Sequence, residues 1–175
     1  MHKITNILGS QLRRSTLMQS NRNKGRTKPI LSFDYIVGLV DGEGCFYVNI
    51  SESNRYKAGA RVGLSLHIKM QANDKALLDK VKNTLGCGGV YFQRELRQNH
   101  AQCYRFTVGS QRDILEIIVP FFTQHRLQSP SKYKNFEIFC KIVDIVKKEE
   151  HLNKKGMAKI RKLKRKMNQK TIGLA

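Results

Sequence analysis

Between residues 45 and 108 apolar and polar side chains alternate in four separate runs, and this constrains the fold more than any other feature of the chain. In CFYVNIS (45–51), Phe46, Val48 and Ile50 fall on one side, and Tyr47, Asn49 and Ser51 on the other. RVGLSLHIK (61–69) repeats the pattern, with Val62, Leu64, Leu66 and Ile68 opposite Arg61, Gly63, Ser65, His67 and Lys69. GGVYFQRE (88–95) and QCYRFTV (102–108) form a second pair, in which Tyr104, Phe106 and Val108 face inward and Cys103, Arg105 and Thr107 outward. A period of two with one apolar side marks a half-buried strand. Two such pairs imply a four-stranded sheet with one face packed and one face exposed or bound.

Helical periodicity fills the gaps. Ser32 suits an N-cap and Asp34 the first turn of a helix over 33–42, with glycine at its far end. Ala76, Leu77, Val81 and Leu85 predict a helix over 74–85 that stops at Gly86. Ile114, Leu115, Ile118 and Val119 predict another over 111–122. A long helix begins near Ser131 and carries Phe136, Phe139, Ile142, Val143 and Val146, and one or two short basic helices fill 154–168. The order is helix, two strands, helix, two strands, helices: an α+β chain.

The 175 residues carry 33 Lys and Arg against 13 Asp and Glu, a formal charge of +20. The excess is concentrated at the ends: +7 over residues 1–28, +9 over 147–175 and only +4 between them. This suggests a basic N-terminal extension (1–28), a globular domain (29–150) and a basic helical tail (151–175). Such charge favours nucleic acid, because each neutralised phosphate releases counterions. The acid-free first 28 residues also resemble an organelle transit peptide. No apolar run is long enough to cross a membrane. Cys45, Cys87, Cys103 and Cys140 form no C-x-x-C pair, so four reduced thiols are expected, at least two of them buried, in an intracellular compartment. The scattered histidines supply no hydrolase triad or zinc site, and no phosphate-cradling glycine loop implies ATP.

Residues 36–44 read IVGLVDGEG. Gly38 and Gly42 are four apart and share one helix face. An interior glycine costs about 1 kcal/mol relative to alanine, so a pair asks for a reason, and backbone-close approach of a second helix is one. The run resembles the LAGLIDADG motif of homing endonucleases: Gly38, Leu39, Asp41 and Gly44 match, Val40 and Gly42 replace Ile and Ala, and Glu43 stands at the second acidic position. GCGGVY (86–91) resembles that family's glycine turn into its third strand, and residues 120–156 resemble its C-terminal block, so the likeness runs from about 31 to 168.

The resemblance implies an αββαββα fold whose antiparallel saddle sheet is backed by helices. It implies a site-specific, intron-encoded nuclease that cuts both strands of a long, near-palindromic DNA target. A single motif implies a homodimer joined through Gly38, Asp41 and Gly42 on the two motif helices. Glu43 and the Gly42 carbonyl would then hold Mg²⁺, for which Mn²⁺ can substitute. Gln71, with Lys69 close by, would orient water, and Lys132, or alternatively Lys134, would complete the site. Hydrolysis of a phosphodiester suits such oxygen ligation, since a hard cation polarises phosphate and activates water. The polar sheet face offers groups that bond base edges and phosphates: Tyr47, Asn49, Ser51, Arg61, Ser65, His67, Lys69, Gln93 and Arg105, with Arg55 and Lys57 in the 52–60 loop. An RNA maturase acting on intron RNA and a non-catalytic DNA-binding protein are the alternatives.

Overall fold

A computed structural model describes residues 30–96 and 100–167. The expected N-terminal extension lies outside them, as do the last eight residues of the tail. Helix α1 (Phe33–Glu43) leads into strands β1 (Gly44–Glu52) and β2 (Ala60–Gln71). A 3₁₀ turn (Ala72–Asp74) precedes α2 (Lys75–Leu85), followed by β3 (Gly89–Gln93) and β4 (Cys103–Val108). Helix α3 (111–124) and α4 (Pro130–Lys147) come next, and a 3₁₀ turn (Glu150–Leu152) introduces α5 (Lys154–Lys164). This is the expected α+β order.

The strands form one antiparallel sheet in the order β1-β2-β4-β3. Its apolar face carries Phe46, Val48, Leu64, Leu66, Ile68, Phe106 and Val108, all buried. They meet Ile36 and Val40 of α1, Leu78 and Val81 of α2, Ile114 and Phe122 of α3, and Phe139 and Ile142 of α4. Phe46 lies at the centre of an aromatic cluster, its ring 5.0–5.5 Å from those of Phe122, Phe136 and Phe139. Truncating such a ring to alanine costs about 3–5 kcal/mol.

Local chemistry sets the element ends. The Ser32 side chain accepts a hydrogen bond from Tyr35 N–H at 3.2 Å and caps α1. At the other end the chain passes from helix to strand with no loop, and a Cβ on Gly44 would meet Val40 at 2.5–2.8 Å. Gly88, at φ 79°, sits where a Cβ would strike Phe106 and Val108 on the way into β3. The Ser-Pro-Ser run at 129–131 is a helix start: Ser129 is the N-cap, Pro130 the first helical residue.

Three features depart from expectation. Helix α3 is interrupted by a π turn over Ile114–Ile118, where the Val119 N–H reaches back to the Ile114 carbonyl. Pro120, which has no N–H to donate, follows directly. Only one thiol, Cys87, is buried, rather than two; Cys45, Cys103 and Cys140 are half-buried, and none of the four is in a disulfide. Cys45 and Cys103 occupy polar-face positions in the register, which explains their exposure. Finally, α5 is packed onto the domain through Met157 and Ile160, so this part of the basic tail is a seated helix.

Candidate metal centre and nucleic-acid face

Helix α1 buries Ile36, Val37 and Val40 and turns Gly38, Gly42 and Glu43 to solvent. A Cβ at Gly38 or Gly42 would meet nothing within 4 Å among the described residues. The glycine face therefore stands open along the helix and ends at an exposed carboxylate. The last carbonyls of a helix carry partial negative charge, which adds to the Glu43 carboxylate in attracting a cation.

Two polar contacts hold this helix end. Asp41 Oδ2 accepts a hydrogen bond from the Gln128 N–H at 2.7 Å, tying the motif to the loop before α4. Asp41 Oδ1 is buried with no hydrogen-bond partner among the described residues. Lys132, in the first turn of α4, donates from Nζ to the Gly44 carbonyl, one residue past Glu43. Lys134 is exposed on the same helix. Of the two lysines considered, Lys132 is thus the one brought to the motif.

The sheet register places the other candidates. Gly44 pairs with Ile68, so carrying the pairing one step further sets the end of α1 beside Lys69. Gln71 lies two residues beyond, about 7 Å farther along β2. Both share the polar face, and Gln71 is exposed. Lys69 Nζ is 3.5 Å from Glu95 Oε2.

Across this face the pairs Tyr47–Ser65, Asn49–Gly63 and Ser51–Arg61 run outward along β1 and β2. Lys69, Arg105 and Tyr91 form one transverse row, and Gln71, Cys103 and Gln93 the next. Every strand residue proposed for readout therefore lies on one surface, and Arg55 and Lys57 stand exposed in the β1–β2 loop. The sequence reading passed over Tyr91, which is 62% exposed in the row of Arg105 and Lys69. Its parity with Gln93 was the available signal.

His67 is fixed within the same face. Its Nδ1 is 3.0 Å from Thr107 Oγ1 and its Nε2 2.9 Å from Ser65 Oγ. Burial, reinforced by the Arg105 charge, lowers its pKa below the ordinary imidazole value. The ring braces β2 against β4.

Among the described residues no three His, Cys, Asp or Glu side chains cluster. The oxygen donors at the end of α1, one carboxylate with helix-end carbonyls, are of the kind that suits a hard divalent cation.

The profile of the LAGLIDADG endonuclease family matches residues 36–143. A probable intron-encoded endonuclease of Neurospora crassa is 30% identical over 131 residues, 75% of this chain and 26% of that protein. The chain thus spans about a quarter of that relative's length. The crystal structure of the homing endonuclease I-TnaI superposes with a TM-score of 0.70 at 33% identity, covering 79% of this chain and 89% of that one. I-SmaMI, bound to an uncleaved DNA target in the presence of calcium ions, superposes with a TM-score of 0.73 at 30% identity, covering 82% of this chain and 47% of its own. With the motif helix, the four-stranded sheet and the helices behind it in the family's order, the chain belongs to the LAGLIDADG endonucleases.

Proposed function

We propose that two copies of this chain form an intron-encoded homing endonuclease that cuts both strands of a near-palindromic DNA target with the help of Mg²⁺. The observation that carries the reading is the open glycine face of α1, which ends in Glu43 at the border of the polar sheet face. A second α1, packed against Gly38 and Gly42 on a two-fold axis, would bring the two Glu43 carboxylates together. The match of this chain to only 47% of I-SmaMI supports the same arrangement, because two copies of the fold approximate that chain's length.

A divalent cation, when bound, would polarise the scissile phosphate and lower the pKa of attacking water. Glu43 and the Gly42 carbonyl would hold it, sharing the coordination with the partner's identical groups and with phosphate oxygens. Gln71, at the end of β2, would orient water through its side-chain amide. Lys132 Nζ, anchored on the Gly44 carbonyl, would stabilise negative charge developing beside the acid. Asp41 would have a structural role at the helix ends: one of its carboxylate oxygens accepts from the Gln128 N–H and would so fix the direction of α1 at the interface. The polar face would read base edges through Asn49, Ser51, Arg61, Gln93 and Arg105, with Tyr47, Ser65, His67, Lys69 and the Arg55 and Lys57 loop completing the contact surface.

The test is cleavage of a randomised target library, with Mg²⁺ or with EDTA, followed by sequencing of the ends. Glu43→Gln is expected to abolish cleavage while leaving duplex binding close to wild type. Wild-type cleavage by that variant would overturn the assignment.

A further inference from the structure

Helix α5 packs on α4 and reaches the edge strand β1 through two side chains. The Arg161 guanidinium makes a bidentate pair with Glu52 at the end of β1, with Nη1–Oε1 at 2.6 Å and Nη2–Oε2 at 2.8 Å. Lys164 Nζ stands 5.9 Å from the centroid of the Tyr47 ring, on the polar face. Glu52 shares the core-side parity of β1 and Tyr47 has the opposite parity, so α5 straddles the sheet edge. Met157 and Ile160 anchor its apolar side, and Met167 is buried in the turn just past its end.

The cations of α5 and of the turn that follows it divide between two flanks. Arg161 and Arg165 are four apart and Lys164 three from Arg161, so these three share the flank next to Tyr47, with Lys154 two turns back on the same side. Lys155, Lys159, Lys162 and Lys166 fall on the other flank, where Lys159 pairs with Glu150 at 2.9 Å. The Glu52 carboxylate answers the charge of Arg161, and the Arg161 bond in turn holds Glu52 below the ordinary carboxylate range.

We propose that α5 is a cationic clamp on the outer end of the DNA-binding face: Lys164 and Arg165 contact backbone phosphates of a duplex lying on the sheet, and Arg161, latched to Glu52, is the positioning residue that aims them. The inference rests on the reading that the polar face binds duplex DNA. It adds a sequence-independent contact beyond the strands. A bidentate Arg–carboxylate pair is the geometry that fixes direction as well as distance, which suits a latch.

The experiment measures binding of the full chain to a labelled duplex of random sequence, about 30 base pairs or three helical turns long, across a salt series. Each lost phosphate contact reduces the slope of log K against log salt by about 0.9. Lys164→Ala/Arg165→Ala is expected to lower the slope by about 2 per protomer. Lys155→Ala/Lys166→Ala removes the same charge from the far flank and is expected to leave the slope near wild type. Glu52→Gln separates latch from charge: deleting an acid beside a DNA surface strengthens binding if only charge matters, whereas loss of the latch weakens it. Circular dichroism checks that each variant is folded. If both double variants behave alike, or if Glu52→Gln binds more tightly, the clamp is overturned while the sheet reading stands. If the wild-type chain binds no duplex at any salt concentration, the sheet reading fails and takes the clamp with it.

Discussion

Replacing Gly38 with alanine is expected to have opposite effects on one chain and on two. Gly38 sits mid-way along α1, is exposed, and has nothing within 4 Å of the position a Cβ would take. Within a single chain the added methyl collides with no neighbour, so the intrinsic helix preference decides: about 1 kcal/mol in favour of alanine. For a chain of this size that raises Tm by about 2–4 °C. In a pair joined along the glycine faces, the same methyl enters a backbone-close contact from each side. Overpacking of that kind costs about 1–3 kcal/mol, which weakens the dimer by about 5- to 150-fold. Thermal unfolding across a protein-concentration series, alongside sedimentation velocity, reads both effects, because a dimer's Tm rises with concentration. The two curves should cross, with the alanine variant more stable when dilute and the wild type more stable when concentrated. A lower Tm for the variant in the dilute limit would refute the reading of an open helix face. An unweakened dimer would refute the reading of that face as the interface, and Gly38→Leu, which should separate the subunits altogether, would then leave sedimentation unchanged.

Lys132→Met is expected to lower the single-turnover cleavage rate by about 10²–10³ with duplex binding retained, since it removes a fixed cation beside Glu43, whereas Lys134→Met should stay near wild type. His67 should make stability depend on pH: its folded pKa lies below the unfolded value, so its contribution is full above the ordinary imidazole range and is lost as pH falls through the folded pKa. Denaturant titrations across that window should show the loss, and His67→Gln should flatten it. Cys140, whose thiol is pushed up to about 12 chiefly by burial and then by Asp144 and Glu137, should resist iodoacetamide in the native protein at mildly alkaline pH. Peptide mapping by mass spectrometry checks that, and early labelling of Cys140 would contradict it.

The sheet was legible because strand parity is a local property: once Phe46 and Val48 face inward, Tyr47 and Asn49 must face outward, and the register then aligns four strands' polar residues on one surface. The π turn in α3 was not legible, because Ile114, Leu115 and Ile118 satisfy ordinary helical spacing and the change of hydrogen bonding lies in the backbone. The seating of α5 was hidden differently. Its buried apolar residues, Met157 and Ile160, with Met167 just past its end, are interleaved with basic residues, and composition alone reads such a segment as solvated. Thiol burial failed for a third reason: average cysteine behaviour outweighed the parity that already placed Cys103 outward.

In the proposed dimer, the contacts around α1 would let each chain prepare its own half of the site. The acidic end of the helix is held from within the subunit, by the Gln128 N–H on Asp41 and the Lys132 amine on the Gly44 carbonyl, both from the segment that opens α4. A Cβ added at Gly38 or Gly42 on the other side of the helix would meet none of the described residues within 4 Å. Orientation would then be set before a partner arrives, and the proposed association would only have to bring two prepared ends together. Preorganisation of this kind lowers the ordering cost of assembly. It also separates the two failures: damage to the Asp41–Gln128 contact should misdirect Glu43 in a dimer that still forms, whereas damage at Gly38 should leave a correctly directed Glu43 without its counterpart.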